Sequence, residues 1–401
     1  MKEELIRKYA FMIAKVGLNI KPGQIVLVEA AVEGYEFANM FAEEAYKLGA
    51  GEVVIHYLDL AKLKTEAKYR PADKVAEILE WQKESYQYYL DCGACTLRLE
   101  GVNPALMEDA TEAEANAIFA FVDNMRNIMR AATRKKHCQW CIAMVPTQAW
   151  AEYIMPEEDK SIVLDKLWEV LLKLCYIDET NDIELEWEKK KARNREKASK
   201  IDELHLKELH YTSSNGTNLT VGLAKESTFG FPKDRKRPEG FVPFTPNIPS
   251  EEICTSPHKF RTEGIVYATK PLVLGGKKIE NFGFRFENGK VVEVLAEEGR
   301  EMLESLVRTD EGACYLGECA LVEYHSPISM SGYVYYTTLI DENASCHLAL
   351  GRALNSGSGI EYFNESQIHI DFMIGAADTE IVGITEDGRK VQIFHNGDFA
   401  I

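Results

Sequence analysis

A chain of 401 residues, 46% hydrophobic and 27% charged, is ordinary in composition for a folded protein but long for one hydrophobic core, so two domains are expected. A formal net charge of −18 argues against a nucleic-acid partner, which would need Lys and Arg clustered against phosphates. No run approaches the roughly 18 consecutive apolar residues of a membrane span, and Met1-Lys2-Glu3-Glu4 is a charged helix start rather than a signal peptide, so a soluble cytoplasmic protein with no membrane partner is expected.

In chain order, Gln24 to Glu29 reads as an apolar strand, and Tyr35 to Leu48 carries Phe37, Phe41, Ala45 and Leu48 at helical spacing. Glu52 to Leu58 is rich in β-formers again. This βαβ pattern predicts an α/β domain with a right-handed crossover. Helices are predicted at Asp73–Tyr89, Thr111–Lys135 and across Thr147–Tyr176, with a strand at Cys138–Val145. A charged helical stretch from Ile183 to about Leu206 comes next. Its basic run Lys189, Lys190, Lys191, Arg193 and Arg195 lies among Glu184, Glu186, Glu188 and Glu196, as on a solvated helix face.

Beyond it, Asn215-Gly216, Asn288-Gly289, Asp387-Gly388 and Asn396-Gly397 favour tight hairpins. The second half is therefore predicted to be an α+β, largely antiparallel β domain, with helices at Ala296–Thr309 and Ala344–Leu354. The boundary is placed near residue 205, giving domains 1–205 and 206–401. Pro232–Pro238 reads as an exposed loop and Gly275-Gly276-Lys277 as a turn.

Nine scattered cysteines, an odd number, make a disulfide framework improbable. Cys92/Cys95 and Cys138/Cys141 have spacings that could close a tetrahedral zinc site. Cys138 and Cys141, however, run into Ile142-Ala143-Met144-Val145, which reads as a buried strand with cysteine as a small hydrophobe. A redox role for Cys92 and Cys95 lacks a matching fold context.

Zinc-helix, serine-elbow and phosphate-loop spacings are all absent. What stands out is His369-Ile370-Asp371 in a strand-like run, because side chains at i and i+2 of a strand share a face. Glu251-Glu252, Glu318 and His347 supply further ionisable groups from separate apolar segments. Buried groups of this kind either pair with one another or hold metal, and a metal-free ionic network is the alternative. His325 is a candidate pocket residue, and Arg352 a candidate for supporting the site or facing substrate. Cys346 beside His347 is not read as a nucleophile pair, since adjacent residues on the predicted helix point apart.

The segments Asn247–Pro257, Thr262–Gly264, Gly312 with Leu316–Glu318, Ser326–Ser329, Asp341–Gly351 and His369–Gly375 together resemble the thermophilic-type metallo-aminopeptidases, metallopeptidase family 29, of the aminopeptidase T or S type. Gly17–Gln24, Glu44–Tyr46 with Gly49-Ala50, and Pro146-Thr147 with Trp150-Ala151 extend the resemblance over essentially the full chain. It implies Glu252, Glu318, His347, His369 and Asp371 as ligands of two divalent ions per chain, Zn, Co or Mn, with Glu251 as candidate general base. Which adjacent glutamate is the ligand stays open. It further implies hydrolysis of the N-terminal peptide bond of short peptides with a free N-terminus, through a two-metal-activated water, by a cytoplasmic homodimer.

One departure is visible. The family carries a tyrosine seven residues after the histidine matching His347, and this chain has Leu354, followed by a loop, Asn355–Phe363, that looks short. Leucine can neither donate a hydrogen bond nor coordinate a metal, and Tyr362 is the candidate substitute. A catalytically impaired metal-binding peptide binder, or a related dinuclear amide hydrolase, is therefore the alternative function.

Overall fold

The computed structural model describes residues 3–101, 103–107, 109–136, 138–225, 227–229, 241–274, 277–354 and 361–401. The loop expected at Pro232–Pro238, the turn at Gly275-Gly276 and most of the loop after Leu354 lie outside them. The chain forms two compact units. The first holds the residues through Glu188 plus the stretch ending at Pro249, and the second is built mainly from the chain beyond Glu188. The division falls inside the helix Ile183–Asp202, upstream of the composition change near residue 205.

The first unit has a five-stranded parallel sheet in the order Glu52–Leu58, Ile25–Ala31, Cys95–Glu100, Trp140–Met144, Asn247–Ile248. Val26, Leu27 and Val28 are fully buried in succession, as expected for a strand covered on both faces. The intervening helix Tyr35–Lys47 buries Phe37, Phe41 and Ala45 on one stripe, completing the expected βαβ unit. The helix predicted over Asp73–Tyr89 is two helices, Ala72–Val75 and Glu80–Asp91. The second starts afresh because the Gln82 side chain accepts the Leu79 backbone N–H at 2.9 Å, a local cap that competes with a continuous helix. The strand Cys95–Glu100 escaped the sequence reading because Arg98 and Glu100 interrupt its apolar pattern. They pair with each other at 2.8 Å.

All nine cysteines are free, and among the described residues no metal-type cluster includes Cys92, Cys95, Cys138 or Cys141. No described helix is long and apolar enough to cross a membrane.

The second unit contains an eight-stranded antiparallel sheet. Its order is Lys290–Ala296, Phe282–Glu287, Pro257–Tyr267, Asn218–Leu223, Leu206–Thr212, Glu380–Thr385, Lys390–His395, Asp398–Phe399. Asn288-Gly289 and Asn396-Gly397 join neighbouring strands with φ of 49° and 80°, and 50° and 80°, the left-handed pair a two-residue hairpin requires. A smaller antiparallel sheet runs His369–Met373, His347–Gly351, Leu316–Leu321, Ile253–Thr255.

Here one expectation fails: Ala344–Leu354 is not a helix but contains the fully buried strand His347–Gly351. Its Leu and Ala residues fit either period, and the flanking strands that pair with it on both sides override their helix propensity. Cys346 and His347 therefore point apart through the alternation of an extended chain rather than around a helix.

The small sheet has one apolar face. Cys319, Leu321, Leu348, Leu350 and Phe372 join Phe282, Phe284 and Phe286 in the unit's core. Phe372 packs 5.2 Å from the Phe284 ring centroid and 6.3 Å from that of Phe282. Truncating it should leave a cavity: Phe372→Ala is expected to cost about 3–5 kcal/mol, read as a lower urea midpoint with unchanged slope.

Candidate metal centre

Period-two alternation places the ionisable residues on the other face of the small sheet. Cys254, Ala320, His347 and Met373 form one cross-strand row, and Glu318, Ala349 and Asp371 form the next. His369 stands opposite Gly351. Small side chains thus alternate with the donors and leave room in front of them. A register shift between Leu316 and Glu318 marks a bulge at Gly317.

All five residues expected as ligands converge. His347 Nε2 lies 3.2 Å from Glu252 Oε2 and 4.0 Å from Glu318 Oε1, while His369 Nε2 lies 3.1 Å from Glu318 Oε2 and 3.5 Å from Asp371 Oδ1. The far nitrogen of each imidazole faces a main-chain carbonyl: His347 Nδ1 the Ser345 oxygen at 3.2 Å, His369 Nδ1 the Arg352 oxygen at 2.6 Å. A proton on Nδ1 satisfies these carbonyls and leaves Nε2 free as a donor atom, the arrangement metal-binding histidines use. Arg352, expected near the site, contributes its backbone carbonyl in this way.

Glu252 is held from behind. Asn343 Oδ1 accepts the backbone N–H groups of Glu251 at 2.5 Å and Glu252 at 3.2 Å, and its Nδ2 donates to the Leu339 carbonyl at 3.1 Å. The neighbouring Glu251 turns elsewhere, pairing with the buried Lys190 at 3.0 Å.

Crowding shifts the titration of these groups. Burial pulls the His347 imidazolium down, yet Glu252, Asp371 and Glu318 outweigh it and lift its pKa to about 10. His369 is likewise driven well above its ordinary value, with Asp371 and Glu318 overcoming burial. Burial would raise Asp371, but His369 holds it below the usual carboxylate range. Burial raises Glu252, and Glu318 and Asp371 add to the effect.

The sequence reading missed Glu342, which is buried beside these groups. Its carboxyl is pushed well above the usual range by burial and then by repulsion from Glu252 and Asp371. Its only sequence signal was its place five residues before His347. With Glu342, three buried carboxyl groups and the partly buried Glu252 share the space with two imidazoles, and protons supply the positive charge.

A divalent cation fits this donor set. Oxygen and imidazole donors suit Zn, Co or Mn. Ligand atoms of Glu318, His369 and Asp371 lie within 4.8 Å of one another, and so do those of Glu252, Cys254 and Glu318. Glu318 is common to both groups. Glu252 Oε2 is also sealed from solvent and has no aligned hydrogen-bond donor, although His347 is near.

The other expected residues make contacts of their own. Tyr362 is 38% exposed and stacks on His258, ring centroids 4.6 Å apart. His325 is exposed and pairs with Asp398. Cys346 Sγ turns to the Val322 carbonyl at 3.4 Å. Leu354 is 51% exposed, with its N–H donated to Ser256 Oγ at 3.0 Å.

Comparison with known proteins gives the class, a metallopeptidase hydrolase. The model of the thermophilic metalloprotease family, M29, matches residues 2–399, and the chain belongs to that family. It is 35% identical to aminopeptidase AmpS of Bacillus subtilis, over 98% of both chains, and 32% identical to aminopeptidase T of Thermus aquaticus, over 99% of both. Wild-type AmpT of Thermus thermophilus superposes over the full length of both chains with a TM-score of 0.90 at 31% identity. A 2,5-dihydroxypyridine dioxygenase of Pseudomonas putida shares the fold alone, with a TM-score of 0.54 at 12% identity.

Two outcomes are expected. The imidazoles bind metal only as neutral rings, whereas His347 keeps its proton up to about pH 10 in the metal-free chain. Metal uptake at neutral pH should therefore release protons, and affinity should climb about tenfold per pH unit for each proton displaced. Calorimetry in buffers of different ionisation enthalpy measures this. Asn343→Ala, which frees the Glu252 backbone, should weaken metal binding about 10–100-fold, read by competition with a chromophoric chelator.

Proposed function

We propose that the chain is an aminopeptidase that hydrolyses the N-terminal bond of short peptides with a free N-terminus, using two divalent ions held by Glu252, Glu318, His347, His369 and Asp371. The observation that carries this reading is the convergence of five donors on one sheet face, with Glu318 common to two ligand groups. The aminopeptidases among its full-length relatives support the choice of substrate. When bound, the ions supply Lewis acidity for the scissile carbonyl and acidify the attacking water.

The chain's own residues do the rest. Nδ1–H bonds to carbonyls orient the two imidazoles, and Asn343 holds the Glu252 segment. Glu251, expected as the general base, has its carboxylate engaged by Lys190. Glu342, a buried carboxyl beside Glu252 and Asp371, is the better placed candidate to accept a proton from the attacking water and pass it to the leaving amine. A cytoplasmic location agrees with nine cysteines outside any disulfide, and a homodimer completes the reading.

Leu354 favours a second reading, a metal-binding peptide binder with impaired catalysis, because the position offers no polar atom. Release of leucine and other residues from unblocked aminoacyl anilides, abolished by chelator and absent with N-blocked analogues, supports the peptidase. No chelator-sensitive release from any substrate supports the binder, and a gain in kcat for Leu354→Tyr would show that leucine limits the chemistry.

Variants separate the roles. Glu318→Gln or His369→Ala is expected to remove metal and activity while the first unit stays folded by limited proteolysis. Full activity in either would refute the ligand assignment. Glu342→Gln should keep its metal and lose about 10²–10⁴-fold in kcat.

A further inference from the structure

Cys254 lies in the strand Ile253–Thr255, two residues after Glu252, so the two side chains share a face. Its cross-strand neighbour is Ala320, whose own neighbour is His347, which puts the thiol in the same row as a proposed ligand with only a methyl group between. Sγ comes within 4.8 Å of carboxylate oxygens of both Glu252 and Glu318. The other cysteines of this sheet region do not share this position. Cys319 is in the apolar core, and Cys346 contacts the Val322 backbone. The thiol is within reach of the Glu318 carboxylate as an S–H donor, and the neighbouring Glu252 keeps one solvent-sealed oxygen that no aligned donor satisfies, so the sulfur sits among the oxygen atoms that would hold a cation.

Resting on the two-ion reading above, we propose that Cys254 is a metal ligand, completing with Glu252 and Glu318 one of the two cation positions and making that position selective for zinc or cobalt over manganese or magnesium. The thiol gives up its proton as the sulfur–metal bond forms, so one proton leaves for each sulfur bound, with no change of oxidation state. Thiolate is a soft donor, and a site containing one favours zinc and cobalt, whereas an all-oxygen site serves manganese and magnesium well.

The test is spectroscopic and needs no turnover. The full chain, freed of metal, is titrated with Co²⁺ as wild type, Cys254→Ser, Cys254→Ala and Glu318→Gln. The expected result is a near-ultraviolet sulfur-to-cobalt charge-transfer band in the wild type. Both cysteine variants should lose that band while keeping the visible ligand-field bands of cobalt at the second position. Zinc-over-manganese preference should narrow by at least about tenfold in Cys254→Ser. As a measurement that requires no variant, X-ray absorption of the zinc-loaded wild type should contain a sulfur shell at about 2.3 Å.

Ligand-field bands that vanish in Glu318→Gln, but no charge-transfer band and only nitrogen and oxygen around zinc, would overturn the role of Cys254 and leave the two-ion reading standing. Failure of the wild type to take up cobalt or zinc at all would overturn both.

Discussion

Concentrated negative charge, buried on one face of a four-stranded sheet, is the constraint to which the second unit is built. Glu252, Glu318, Glu342 and Asp371 are crowded where water is largely excluded, and cannot all be ionised there unless positive charge sits among them. Two imidazoles supply part of it, held protonated by the carboxylates around them. The sheet itself makes the arrangement tolerable. Alternation sends Cys319, Leu321, Leu348, Leu350 and Phe372 into an apolar core, so the strands are anchored from behind by burial while their front carries charge.

Geometry at the front depends on small residues and backbone groups as much as on the donors. A β-carbon at Gly317 would meet the Arg352 carbonyl at 2.3 Å and that of Gly351 at 2.4 Å. Glycine therefore permits the bulge that turns Glu318 inward. The Arg352 carbonyl it approaches is also the acceptor that fixes His369, so one close backbone contact sets the position of two donors from different strands. Gly351, with φ of 97°, ends the central strand just where His369 begins its own.

How much of this could be read from the sequence depended on whether a residue's role was local. His369 and Asp371 were legible because a spacing of two on a strand is itself a geometric statement. The parallel sheet was legible because continuous apolar runs alternate with helical stripes, and the Asn-Gly hairpins because their left-handed φ angles are encoded in residue type. Glu252, Glu318 and His347 stood out as ionisable groups in apolar segments, but their grouping as one ligand set came from resemblance, since no local pattern states that three distant segments will meet. Segment Ala344–Leu354 was misread because Leu and Ala satisfy both periods, and only the two neighbouring strands decide between them. Glu342 and Cys254 were passed over for a related reason: a carboxyl or thiol becomes chemically significant through what surrounds it, and those neighbours come from elsewhere in the chain.

Glu251 and Glu252 show how adjacency alone divides roles. Both backbone N–H groups go to the single Asn343 oxygen, yet the extended chain sends the side chains apart, one to Lys190 and the other to His347. Lys190 is 3% exposed, and burial lowers its pKa even with Glu251 beside it, so the pair is held by tight confinement rather than by surface attraction. A buried ion pair contributes little net stability against an apolar replacement. Its value here is directional, because it fixes which of two consecutive carboxylates faces His347.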